Sequence, residues 1–163
     1  MTSFEGRQER DASGAPMVLN RLSEPVLAGL MGLAKPVSYP AGAVVLQEGS
    51  LTPFLGVIED GRVALRLRVP ERGESITIAT VEAGELLGWS AAVPPFRATV
   101  DAVATEPTTL LAFDAAALRS TIAADCELAA ELLPLILESV STRLGASWSQ
   151  LLDLFGSRAH EPW

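Results

Sequence analysis

Between residues 61 and 69 the chain alternates strictly. Val63, Leu65, Leu67 and Val69 fall on one side of a two-residue period, and Arg62, Ala64, Arg66 and Arg68 fall on the other. That is the pattern of a half-buried β-strand. The polar loop PERGE at 70–74 leads into a second run at 75–81, the expected hairpin partner. Shorter apolar runs at 43–46, 54–59, 98–104 and 109–113 read as further strands. Gly42, Gly49, Gly61, Gly73 and Gly84 punctuate the stretch as turns. Several short strands at this spacing predict a closed or rolled sheet.

The period changes to that of a helix at both ends. The run SEPVLAGLMGLA from Ser23 predicts a short helix, with Ser23 as its cap, Pro25 in its first turn, and Val26, Leu27, Leu30 and Leu33 on one face. After the strands, Asp114 is placed to cap a helix over AAALRSTIAA, and Asp125 opens a longer one running to about residue 155. Pro134 inside it is expected to bend it or to divide it in two. Beyond Pro134, Leu137, Val140, Leu144, Ser147, Leu151 and Leu154 recur at three–four spacing. This is the seam of a helix that fits a partner helix. It predicts a homodimer through the C-terminal helix, with Leu137, Val140, Leu144, Trp148 and Leu151 at the contact; the alternative is a helix packed on its own domain. Residues 1–16 show no period and are expected to form a flexible leader. The organisation is thus a leader (1–16), a mainly β domain with short flanking helices (17–124), a C-terminal helix (125–155) and a tail (156–163).

Composition narrows the function classes. A chain of 163 residues, 48% hydrophobic and 20% charged, is long enough for one domain with a proper core. The net charge of −8 argues against a nucleic-acid partner, because phosphate binding needs a basic surface. Arg62, Arg66 and Arg68 form a small basic strip, which in so acidic a chain reads as a solvated sheet surface. Charges, Gly or Pro interrupt every apolar stretch before it reaches membrane-spanning length, and no secretory signal is apparent, so the chain reads as cytoplasmic with no membrane partner. Cys126 is the only cysteine and His160 the only histidine. An internal disulfide and a Cys- or His-based metal site are excluded, and so are Ser–His–Asp and Cys–His catalysis. Glu82 and Glu85 share a turn without the marks of an acid/base pair. The chain reads as a non-enzyme with no metal and no obligatory cofactor.

The order of elements and glycines resembles the cyclic nucleotide-binding domain family, which includes catabolite activator protein and the regulatory subunits of protein kinase A. The segments YPAGAVVLQEGS (39–50), LGVIEDGRVAL (55–65), ITIATVEAGELLGW (76–89) and RATVDA (97–102) carry the likeness, which covers residues 22–154. It implies a β-roll of the jelly-roll type followed by helices. It also implies a phosphate-binding cassette at Gly88, Trp89, Ser90, Arg97, Ala98 and Thr99. In the family, backbone N–H groups and an arginine hold the cyclic phosphate, and a glutamate takes the ribose hydroxyl. The tail helix closes over the base, so Trp148 has two readings, a stacking residue or part of the dimer seam.

The cassette departs from the family pattern. Aligned on its paired glycines, the segment places Trp89 where the ribose glutamate belongs, and Trp offers one N–H donor and no acceptor. WSAAVPPF is short, and Pro94 and Pro95 remove two backbone donors. Anchored on Thr99-Val100-Asp101-Ala102, the arginine position falls on Phe96 and leaves Arg97 one residue out of step, hence on the opposite face. Arg97 then reads either as an anion contact or as a partner of Glu85 or Asp101. A second alignment takes Gly84-Glu85-Leu86 as the family's Gly-Glu-Leu and makes Glu85 the ribose ligand, at the cost of a longer loop. The resemblance therefore implies a regulatory or sensory domain with a degenerate cAMP/cGMP site. Transcription factors of the family continue into a helix-turn-helix, and no such DNA-reading module is expected here, so the output is expected to pass to a protein partner in trans. The alternatives are a genuine cyclic nucleotide binder, a binder of another small anionic metabolite through Arg97 and Ser90, a ligand-free scaffold, and a cupin-like enzyme.

Overall fold

Two levels of patterning build the architecture: alternation within short strands, and glycines that let the chain reverse between them. The structure, a computed structural model, describes residues 18–156. The leader at 1–16, the tail beyond Gly156 and His160 lie outside the described residues. Eight strands form two four-stranded antiparallel sheets. The first holds β1 (Ala34–Tyr39), β8 (Thr108–Asp114), β3 (Phe54–Asp60) and β6 (Leu86–Leu87), in that order. The second holds β2 (Val44–Leu46), β7 (Asp101–Ala104), β4 (Arg62–Val69) and β5 (Glu74–Glu82). Three helices flank them: α1 (Glu24–Met31), α2 (Ala115–Ala124) and α3 (Cys126–Gly156). This is the β-roll with C-terminal helices that the sequence implied.

The core has two parts, one on each face of the first sheet. Inside the roll, Ile58, Leu87 and Leu110 meet Val63, Leu65, Ala102 and Ala104 of the second sheet. On the outer face, Leu55, Val57, Leu111 and Phe113 pack against Leu30 of α1, Leu118 of α2, and Leu128 and Leu132 of α3. The central strands β3 and β8 of the first sheet are thus covered on both faces, and β3 reads as an unbroken apolar run rather than an alternation. At the β3–β4 reversal Gly61 has φ 100°, and a Cβ there would lie 2.5 Å from Thr108 Oγ1 and 2.6 Å from the Pro107 carbonyl oxygen. Only glycine fits both the backbone and the space.

Several expectations need correction. β1 carries Pro36 and polar residues and has no apolar alternation; it forms because β8 offers it an edge, where proline is tolerated. The run at 98–104 becomes a strand only from Asp101, since Arg97 makes a single isolated bridge to Leu51. The alternation of β4 does not carry over into burial, since Val63, Ala64 and Leu65 are all buried and the strand is largely exposed beyond them. Leu67 pairs with Ile76 of β5 and both are 41% exposed, because the β4–β5 hairpin projects beyond the roll. Ser23 stands at the N-cap of α1, but its side chain makes no capping bond; its backbone N–H donates instead to Glu131 Oε2 of α3 at 2.7 Å. Pro134 does not divide α3, which runs on from Cys126 to Gly156. Asp114 and Asp125 cap as expected, accepting from the N–H groups of Ala117 and of Glu127 and Leu128.

Candidate functional site

Gly88 ends β6 with φ 79°. A Cβ at this position would sit 2.6 Å from the Phe54 carbonyl oxygen, so the close approach of β6 to β3 requires glycine. The left-handed step turns the chain into one 3-10 turn, Trp89–Ala91, which places Ser90 inward and Trp89 at the boundary between roll and helices. Ser90 Oγ lies 2.6 Å from Thr52 Oγ1, and both residues are buried. Each hydroxyl satisfies the other.

The loop that follows is held from both sides. Phe96 adopts φ 62°, which a residue with a side chain rarely does. Its carbonyl accepts from the Thr52 N–H at 2.8 Å. The Arg119 guanidinium of α2 lies 4.3 Å from the centre of the Phe96 ring and donates to the Ala91 carbonyl at 2.9 Å. Arg97 follows on the outside. It is exposed, and its Nη1 donates to the Gly49 carbonyl at 2.8 Å. It pairs with neither Glu85 nor Asp101. Asp101 accepts from the Glu48 N–H and faces Arg68, while Glu85 accepts from the Glu82 N–H across the turn. Arg62 likewise pairs with Glu82, so two of the three strand arginines sit in exposed or partly exposed ion pairs.

Gly88, Trp89, Ser90, Ala98 and Thr99 do come together. With Leu46, Leu65 and Leu87 they line a cavity inside the roll of about 30 Å³. That is space for about one or two waters, whereas pockets for drug-sized ligands start at roughly 300 Å³. Arg97 does not reach this cavity. The cation that does is Arg143 of α3, which the sequence reading missed. Its guanidinium donates to the Leu86 carbonyl oxygen. Burial holds its pKa below the usual arginine value, and the nearby Glu85 charge opposes that shift. One signal was available: Arg143 is the only Lys or Arg in the 31-residue helix.

Two further hollows flank the site. Between α3 and β5 an outer cleft of about 230 Å³ includes Glu85, Thr80, Ser139, Thr142 and Arg143 in its wall. On the other side of α3, Trp89 and Val93 form an apolar groove of about 300 Å³ with Leu133, Ile136, Leu137 and Val140. Of the predicted dimer residues, Leu137, Leu144, Trp148 and Leu151 are exposed, at 69%, 58%, 60% and 45%, and Val140 is half-buried. The side chain of Leu154 lies outside the described residues. Cys126 is exposed. Among the described residues no three His, Cys, Asp or Glu side chains are grouped to hold a metal ion, and no helix is long and apolar enough to cross a membrane.

Comparison with known proteins gives a consistent result. A sequence profile described as the cyclic nucleotide-binding domain matches residues 36–125. No curated protein matches the chain. Among solved structures, the chain is similar to a cyclic nucleotide-binding domain from Methylobacillus flagellatus, with 23% identity, 85% of this chain and 80% of that one covered, and a TM-score of 0.75. It is also similar to the N-terminal domain of a transcriptional regulator from Streptomyces coelicolor, with 24% identity, coverage of 79% and 89%, and a TM-score of 0.63. A CooA mutant from Carboxydothermus hydrogenoformans shares 15% identity over 90% of this chain and 89% of its own, with a TM-score of 0.62. At these identities the likeness is one of fold.

Proposed function

The chain belongs to the cyclic nucleotide-binding domain family, and from that premise we propose that it is a non-catalytic regulatory domain whose roll cavity takes neither cAMP nor cGMP. The observation that carries this reading is the size and lining of that cavity: about 30 Å³, with Trp89 and Arg143 in its wall. A cyclic nucleotide brings a phosphate, a ribose and a base. The phosphate needs a cation beside backbone donors, and the ribose diol needs a carboxylate. Here Arg97 is spent on the Gly49 carbonyl, outside the roll. Glu85, the other carboxylate the alignment offered, lines the outer cleft instead. The non-catalytic part of the proposal draws on a chain with one histidine and one cysteine.

In this reading α3 carries the output. It spans both the cavity wall, through Arg143, and an exposed apolar stripe from Leu137 to Leu151. A shift of α3 relative to the roll would change the stripe offered to a second copy and to a protein partner in trans. The proposed assembly is a homodimer through α3, acting in the cytosol. Isothermal titration with cAMP and with cGMP tests the reading. No heat of binding is expected from either, and micromolar binding of one of them would overturn it.

A further inference from the structure

Arg143 is a partly buried cation whose hydrogen-bond acceptor among the described residues is a neutral carbonyl, that of Leu86. Among the described residues it makes no ion pair. Glu85 is close enough to act on it electrostatically but spends one oxygen on the Glu82 N–H and does not reach the guanidinium. Burying a charge without an opposite charge in contact is costly. The two side chains also face the same space, the outer cleft between α3 and the edge strand β5.

Along the cleft α3 is held to the rest of the molecule on either side of Arg143 as well as through Arg143 itself. At one end Arg21 pairs with Glu138 at 2.7 Å. At the other, Gln150 Nε2 donates to the Thr77 carbonyl of β5 at 2.9 Å. Arg21 and Glu138 thus neutralise each other, which leaves Arg143 and Glu85 as the two charges of the cleft that feel each other without forming a contact ion pair. A simple anion would meet Arg143 but be repelled by Glu85, and a simple cation the reverse. A molecule carrying both charges satisfies both walls. Ser139 and Thr142 of α3 and Thr80 of β5 add hydroxyl-bearing side chains to the lining, and a volume of about 230 Å³ limits the occupant to a small metabolite.

We propose that this cleft binds a small zwitterion of the amino-acid type, with its carboxylate on Arg143 and its ammonium on Glu85. A planar guanidinium suits a carboxylate through paired N–H donors. Because the ligand would lie between α3 and β5, its binding would bias the position of α3; that consequence, unlike the binding itself, depends on the regulatory reading above.

The test is calorimetric titration of the full chain with the standard amino acids one at a time, beside acetate and methylammonium as single-charge probes. At least one amino acid is expected to saturate one site per chain, with acetate and methylammonium each binding about tenfold or more weaker, as loss of a charge-assisted contact predicts. Glu85→Gln, an exposed substitution, is expected to weaken that binding by a similar factor with the melting temperature unchanged. Arg143→Met is expected to abolish it. Absence of binding by every amino acid at millimolar concentration would overturn the proposal, as would unchanged affinity in Glu85→Gln or acetate binding as tightly as the amino acid. Cyclic AMP titrated into the sample already saturated with the amino acid reports on the roll cavity, because the cleft is then occupied. Its binding would overturn the functional reading and leave the cleft standing, so the two failures are distinguishable.

Discussion

Thr52 and Ser90 bond each other at 3% and 5% exposure, and among the described residues neither hydroxyl has another hydrogen-bond partner. Removing one leaves the other buried and unsatisfied, which costs about 1–3 kcal/mol. Ser90→Ala is therefore expected to lower the unfolding free energy by that amount, read from urea denaturation, while the double variant Thr52→Val with Ser90→Ala recovers part of the loss because neither orphan remains. Tyr39 provides a second residue-scale prediction, in its response to pH. Its burial raises the phenol pKa above the usual value of 10.0. A raised folded pKa means that the stability contribution is complete below about pH 10 and is lost as pH climbs from there through the folded pKa. Tyr39→Phe is expected to flatten that alkaline fall, measured as the pH dependence of the unfolding midpoint between about pH 9 and 11. Residue identity also explains what the backbone demands. Gly88 was visible as a cassette glycine in the sequence, but its reason, the Phe54 carbonyl 2.6 Å from where a Cβ would stand, belongs to a contact across 34 residues of chain.

At the scale of elements, α3 matters most, because it joins the core to the exposed stripe. Leu128, Leu132, Leu135 and Ile136 anchor its first half against α1, α2 and the first sheet. Asp125 starts it by accepting the N–H groups of Glu127 and Leu128, both at 3.0 Å. Asp125→Ala is expected to cost about 1 kcal/mol, the usual loss on removing an aspartate cap, read by chemical denaturation. The helix passes through Pro134 without ending, since the apolar contacts on either side hold it in place against the missing N–H. Packing decided against the division that Pro134 also allowed. The strands show the same competition. The alternation in β4 was legible and correct in type, yet its outer half lies in solvent because the hairpin extends past the sheet that would cover it. β1 left no periodic signal at all and forms by pairing with β8.

For the whole molecule, the exposed stripe on α3 bears on assembly. Leu137→Glu combined with Leu144→Glu places two like charges on the proposed seam, at positions 69% and 58% exposed in the single chain. The variant is expected to sediment as a monomer where the parent sediments as a dimer, with an unchanged circular dichroism spectrum. A parent already monomeric at micromolar concentration would remove the dimer from the proposal. The sequence by itself determined the rolled sheet, the helices at either end, the likeness to the cyclic nucleotide-binding domain family and the cluster of Gly88, Trp89, Ser90, Ala98 and Thr99. Those are set by local periodicity, by glycines at reversals and by spacing along one stretch of chain, all of which are written in residue order. The tertiary structure alone decided that the cavity those residues line is nearly filled, that Arg97 turns outward to Gly49, and that the cation in the cavity wall is Arg143, more than 40 residues further on. Volume and charge pairing are sums over elements distant in the chain, so no local pattern records them.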